Sequence, residues 1–438
     1  MSAPTDRDRT WLGTLKRWSV RSVATRRRLI ATESDPCEAI GSSARRAGFS
    51  VFGPPATARI VPCDVLRCVA MARESEAAGS ARRDRALAVL TTGICGDALA
   101  ERITWALIAH VANQPPITVE LDQDEVAEAR QLAATHRVTC LLGRVAPDAT
   151  ETPISRMAGA MAIERHLLEA VEVLTTAGVA ALVLKGNATA YLDHADPADR
   201  EVGDIDLLVR PEQLETALAA FDRAGWRRTV THPFRTPTFF HSETLVHADG
   251  TELDVHHRLA QPSRAPRTCW NQPETFELGG VTLNAFPRQW RFLHALIHQM
   301  MNPQPSVRAL NGLLDLVLIW STGVDIDAVR WAGREIGMPE LTERGLTRVA
   351  DLLGGPSVPA RSSPNESRSA ERRLANALDT DRPTPGYLAL AANLAVQPRR
   401  LWPSYLRQLV WPSPAYREQM GITLGGQMRH VAQEAVGR

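Results

Sequence analysis

Asp204, Asp206 and Asp254 are the residues whose types and spacing are best suited to chemistry. The first two sit in Gly203-Asp204-Ile205-Asp206-Leu207-Leu208-Val209, and the third follows about fifty residues later in Glu252-Leu253-Asp254-Val255-His256. Both stretches read as β-strands, along which side chains alternate between faces, so Asp204 and Asp206 share one side while Ile205 and Leu207 take the other. Two acids gathered so closely are hard to justify without a cation. The alternative is a strand edge with solvated acids. The apolar Ile205, Leu207, Leu208 and Val209 favour a central strand instead.

A second chemical signal stands upstream. Of 50 basic residues only Lys16 and Lys185 are lysine, and Lys185 is followed at once by Gly186. An ammonium follows a phosphate through several geometries where the planar guanidinium demands a fork, so a lysine kept amid arginines suggests a chemical requirement, with chance retention as the alternative. The run Val179-Ala180-Ala181-Leu182-Val183-Leu184 reads as a buried strand that enters a helix through Lys185-Gly186-Asn187. Free backbone N–H groups at such a helix start form a ready phosphate site.

The surrounding elements must position these groups. A helix through Leu167, Leu168, Val171 and Leu174 should end at Ala177-Gly178, glycine being the usual terminator. Pro211 should open a helix with Leu214, Leu218 and Phe221 at helical spacing before Gly225. Residues 241–247 and 252–257 flank Ala248-Asp249-Gly250-Thr251, a hairpin signal that puts Asp254 on a strand beside the Asp204/Asp206 strand. Helical patterning fills about 60–145 and returns beyond 285, where Trp290, Leu293, Ile297 and Met300 form one stripe.

The domain order expected is a basic arm at 1–48, a helical N-terminal domain at 49–150, a core at 151–275 and a helical C-terminal domain at 276–353. A Pro/Ser/Arg-rich flexible linker at 354–385 and a helical extension at 386–438 follow. The arginine-rich arm reads as a solvated tail or as a surface for RNA or an acidic partner.

Composition narrows the classes. The 438 residues are 44% hydrophobic, enough for a sizeable core, and 50 basic against 49 acidic residues leave a net charge of +1. That balance, with four tyrosines for stacking, argues against long nucleic acid as the partner and suits a small nucleotide. No apolar run reaches membrane-spanning length and no secretory signal is evident, so the expected compartment is the cytoplasm and no membrane partner is expected. Six cysteines without CxxC pairs read as free thiols.

Other titratable groups have plainer readings. His256 shares a face with Asp254 and could bind a metal beside it, His257 lies opposite, and structural roles are the preferred reading for both. His294 and His298 are spaced i, i+4 without a third ligand and read as core or interface residues, as do His136 and Cys140. Asp315 in Leu313-Leu314-Asp315-Leu316-Val317 needs a partner if buried, and Arg308 or Asn311 would serve.

Leu184-Lys185-Gly186, Tyr191, Arg200, the Gly203–Val209 strand and Asp254-Val255-His256-His257-Arg258 together resemble the uncharacterised nucleotidyltransferase family of the polymerase β-like superfamily. The likeness covers roughly residues 155–320, with Thr135 to Leu142 similar to the segment preceding the core. It implies an α+β fold, a small mixed sheet with flanking helices between helical N- and C-terminal domains. It also implies transfer of an NMP group from an NTP to a hydroxyl on an unidentified small-molecule, peptide or protein acceptor. In that scheme Asp204 and Asp206 bridge two Mg²⁺ (or Mn²⁺) ions, Asp254 completes the site as general base, and Lys185, Gly186 and Arg200 hold the phosphates. Asn187 stands where the superfamily usually has a second Gly or Ser. A non-catalytic nucleotide- or partner-binding scaffold with the same fold is the alternative.

Overall fold

The computed structural model describes residues 98–150, 154–229, 232–301, 309–353, 369–378 and 386–436. The chain divides into units 1–69 and 70–438, and all described residues belong to the second. The expected basic arm, the first half of the expected N-terminal helical region and most of the expected linker (354–368 and 379–385) lie outside the described residues. Residues 369–378, inside that linker, form a helix.

Three helices come first: α1 (Ala98–Val111), α2 (Gln123–His136) and α3 (Thr139–Val145). Asp122 caps α2 through a capping box with Glu125, and Arg137 ends it in the left-handed region at φ 54°. The long α4 (Ile154–Thr176) stops at Ala177-Gly178, where Gly178 takes φ 69° and Val179 N–H donates to the Leu174 carbonyl. Strand β1 (Ala181–Val183) then enters α5 (Lys185–Leu192), β2 (Ile205–Val209) follows, and α6 (Leu214–Arg223) ends before Gly225 at φ 91°. Next come β3 (Arg227–Thr229), β4 (Ser242–Val246) and β5 (Glu252–His256), the last two joined by the expected turn with Gly250 at φ 92°.

The sheet continues past residue 275, where the sequence reading has the core ending. Strands β6 (Glu274–Leu278) and β7 (Val281–Ala285) form a hairpin through Gly279-Gly280, both at positive φ. The whole is a seven-stranded mixed sheet in the order β3-β4-β5-β2-β1-β7-β6. Strand β2 runs antiparallel to β1 and parallel to β5, and β1 runs parallel to β7. Helices α7 (Arg288–Met301), α8 (Ala309–Ser321), α9 (Ile326–Glu335) and α10 (Pro339–Leu353) follow, then α11 (Ser369–Leu378), α12 (Gly386–Val396), α13 (Trp402–Val410), α14 (Pro414–Gln419) and α15 (Leu424–Val436). The fold class is α+β, a mixed sheet with flanking helices.

Strand alternation divides the core in two. Val183, Ile205, Leu207, Val209, Leu253 and Val255 pack on one face with Leu167 and Leu174 of α4 and Leu218 and Phe221 of α6. Leu182 and Leu208 point to the other face, into a cluster built by α1–α3 and α7–α10 together. Helices from before and after the sheet thus bury their apolar sides in common, and it is on this second face that β2 and β5 present their polar residues.

Candidate functional site

The acid pair is placed by register. Asp206 on β2 stands directly opposite Asp254 on the parallel β5, with Ile205↔Leu253 and Leu207↔Val255 buried behind them. Their carboxylates and His256 lie within 4.8 Å of one another. Asp206 is almost wholly buried, and its Oδ1 accepts from Lys185 Nζ at 2.9 Å and faces His256 Nε2 at 2.9 Å. Asp254 Oδ1 accepts from Thr244 Oγ1 at 2.6 Å, Thr244 being its partner on β4.

The two acids titrate in opposite directions. Burial alone would push the Asp206 carboxyl up, but the Lys185 ammonium and the His256 hydrogen bond outweigh it and hold the carboxyl well below the usual range. Burial, and then the Asp206 charge, push Asp254 up. One carboxyl is thus shifted down beside another shifted up, a pattern associated with functional sites.

Asp204 occupies a different position. It precedes the first residue of β2 at a bend, outside the 4.8 Å group, and its Oδ1 lies 3.5 Å from Arg137 Nη1. The Arg137 guanidinium passes close over Gly203, so a Cβ there would displace that side chain. All six residues singled out in the sequence, Lys185, Gly186, Arg200, Asp204, Asp206 and Asp254, nonetheless line one cavity of about 380 Å³.

The phosphate side of that cavity is built at the β1–α5 turn. Leu184 N–H donates to the Asp206 carbonyl at 2.9 Å, which ties the turn to β2, and Lys185 follows at φ 40°, a conformation that a side chain rarely adopts. The turn aims the ammonium at the acid pair and leaves the start of α5 against the cavity. A Cβ on Gly186 would meet Val202 at 3.3 Å, so the 200–202 loop also passes close to this helix start.

Arg200 is fixed by a partner the sequence did not suggest. Its Nε and Nη2 donate to the two oxygens of Asp315 at 2.8 Å each, and Nη1 donates to the Glu201 carbonyl at 2.7 Å. Asn311, expected as a partner for Asp315, instead donates to the Glu201 carbonyl, and Arg308 lies outside the described residues. Arg291, also on the cavity wall, is buried and held by a fork to Asp193 at 2.8 and 2.9 Å and by Glu274 at 2.8 Å.

Histidines approach the acids from behind. His256 stands 5.9 Å from His294 between ring centroids, and His294 stands 4.8 Å from His298. His294 is buried as expected, with burial holding its pKa well below the usual imidazole range, whereas His298 lines the cavity. His257 faces the other way, against Phe240. His136 is buried, and Cys140 and Cys269 are free thiols. His256, for which the sequence favours a structural role, stands with the acid pair on the face it shares with Asp254. A second cavity of about 630 Å³, with Met157, Met161, Ile163 and Tyr191 among its walls, shares Arg200 and Val202 with the first but contains none of the three aspartates.

With this geometry in view, the comparisons define the class. Residues 128–354, more than half of the chain, match the uncharacterised nucleotidyltransferase family, and the chain belongs to that family. Its reaction class is transfer of a nucleotidyl group. Among solved structures, the chain is similar to a lincosamide antibiotic adenylyltransferase with lincomycin bound, at 14% identity over 30% of this chain and 84% of that chain, with a TM-score of 0.23. It is also similar to an antigenic nucleotidyltransferase-like protein from Paracoccidioides brasiliensis, at 16% identity over 45% of this chain and 93% of that one, with a TM-score of 0.29. No curated protein matches. Among the described residues no helix is long and apolar enough to cross a membrane.

Proposed function

We propose that the chain transfers an NMP group from an NTP to a hydroxyl of a small-molecule, peptide or protein acceptor, with Mg²⁺ or Mn²⁺ as cofactor and in the cytoplasm. The observation that carries this reading is the side-by-side register of Asp206 and Asp254 next to the Lys185-Gly186 turn.

The donor chemistry fits a hard divalent cation. Two carboxylates within 4.8 Å crowd each other; burial first and then the Asp206 charge push Asp254 up, and a nearby cation would let both ionise. Asp206 and Asp254 would hold it, with Asp204 a third carboxylate on the cavity wall. When bound, the metal supplies charge stabilisation for the attacking and leaving oxygens of an in-line displacement.

The remaining work belongs to the chain. Asp254, oriented by Thr244, takes the proton from the acceptor hydroxyl, so that its oxygen attacks the α-phosphorus and the bond to pyrophosphate breaks. Lys185 and the α5 backbone amides receive the charge that grows on the departing phosphates. Arg200, held by Asp315, gives that wall a fixed positive group.

Incubation with each α-labelled NTP, Mg²⁺ and a cell extract, followed by mass spectrometry, should reveal an acceptor heavier by one nucleotidyl group. Asp206→Asn should remove that product; equal labelling by the variant sinks the proposal.

One observation favours a non-catalytic scaffold: Lys185 and His256 already converge on the same oxygen of Asp206, and Asp315 engages both arms of the Arg200 fork. Calorimetry separates the readings, since a nucleotide affinity indifferent to Mg²⁺ supports the scaffold and a metal-dependent one supports the enzyme.

A further inference from the structure

A second convergence of metal-ligating side chains lies where the β4–β5 turn meets α4. His166 and Glu169, at i and i+3, share a face of α4, and His247 and Asp249 come from the turn. His166 Nδ1 lies 3.0 Å from Glu169 Oε2, and His166 Nε2 lies 2.7 Å from Asp249 Oδ2. His247 Nδ1 is 3.0 Å from Asp249 Oδ1, and the two imidazole centroids are 4.2 Å apart. One ligand atom each from His166, Glu169 and His247 falls within 4.8 Å of the other two. None of these residues lines the cavity of the acid pair.

We propose that His166, Glu169 and His247 bind a divalent transition-metal ion of the zinc class. Two imidazoles and a carboxylate are the nitrogen and oxygen donors such an ion takes, and three protein ligands leave a position for water. Asp249 lies within hydrogen-bond distance of one nitrogen of each ring, the place of the outer carboxylate that fixes ring orientation in histidine metal sites. That pairing assigns His166 Nδ1, already beside Glu169, and His247 Nε2 to the ion.

Arg165 marks the opposite end. Its Nη2 stands 3.4 Å from Asp249 Oδ2 and 3.1 Å from His166 Nε2, so one positive charge already covers that side. Trp226, 5.7 Å from the His166 ring and 5.1 Å from the His247 ring, supplies an apolar wall. His166 is itself buried, at 2% exposure. The bound ion would pin the β4–β5 turn to α4, and with it the strand that carries Asp254.

The test uses the full chain, stripped with a chelator and titrated with Zn²⁺ and, in parallel, Co²⁺. Asp206→Asn and Asp254→Asn are introduced together so that the acid pair contributes no tight site. That background should bind one tight equivalent of Zn²⁺ and develop visible Co²⁺ absorption typical of low coordination number. Adding His247→Ala or Glu169→Gln, both at partly exposed positions, should weaken Zn²⁺ binding by about 100-fold and abolish the band. Far-ultraviolet circular dichroism checks that each variant is folded. No tight equivalent in the background chain, or an equivalent that survives both substitutions, overturns the proposal.

Discussion

Lys185 Nζ donates to Asp206 Oδ1 across 2.9 Å, and Lys185 is the one lysine among the described residues. The ammonium therefore competes with any divalent ion for the same carboxylate, and an incoming phosphate must draw it away. Lys185→Met should raise Mn²⁺ affinity measured without nucleotide by about tenfold, because a neighbouring positive charge is gone. The same variant should bind NTP at least about tenfold more weakly. Calorimetry with each ligand checks both; a parallel fall in the two affinities contradicts the competition.

The raised Asp254 pKa sets a pH dependence. A carboxyl whose pKa rises on folding contributes stability that is intact below its unfolded value and is lost as pH climbs through the folded one. In chelator, Asp254→Asn should therefore raise Tm at about pH 7, by roughly 2 °C or more, and leave it unchanged near pH 3. Activity should move oppositely, absent in the variant at every pH.

Asp315 has the opposite sign. Burial pushes its carboxyl up, but the Arg200 guanidinium and, after it, His194 outweigh burial and the pKa is lowered. Its contribution to stability is present above the unfolded value and lost as pH falls through the folded one. Asp315→Ala leaves Arg200 uncompensated and should cost about 3 kcal/mol at neutral pH, less near pH 3. Denaturant midpoints measure this. The pair Arg200→Met with Asp315→Leu should recover much of the loss, which a unique geometric role for the pair would prevent.

Asp204 and Asp206 make different demands on the site despite their spacing. Asp206 belongs to the convergent group and Asp204 faces Arg137. Asp206→Asn should lower kcat by about 10³-fold, whereas Asp204→Asn should lower it by roughly an order of magnitude less. Steady-state kinetics on the identified acceptor decide the order.

Strand alternation made the face of Asp206 and Asp254 legible, because Leu253, Val255, Ile205 and Leu207 had to be buried behind them. Asp204 precedes β2 and lines the same cavity as Asp206 and Asp254 from outside the strand. The β6–β7 hairpin carries a Gly279-Gly280 turn signal that the apolar patterning of neighbouring segments obscured. The Arg200–Asp315 fork joins residues 115 apart, and Arg137 reaches Asp204 from α2. Such long-range pairings leave no local periodicity, so no reading of spacing finds them.

Parallel pairing of β2 with β5 carries an evolutionary corollary. The alignment of the two acids is enforced by the ladder itself, while the chain between them wanders through α6, β3 and β4 before returning. Insertions or deletions in that excursion can accumulate without shifting one carboxylate relative to the other. Distant kin should thus be recognised by which strands adjoin, and only poorly by the number of residues separating their aspartates.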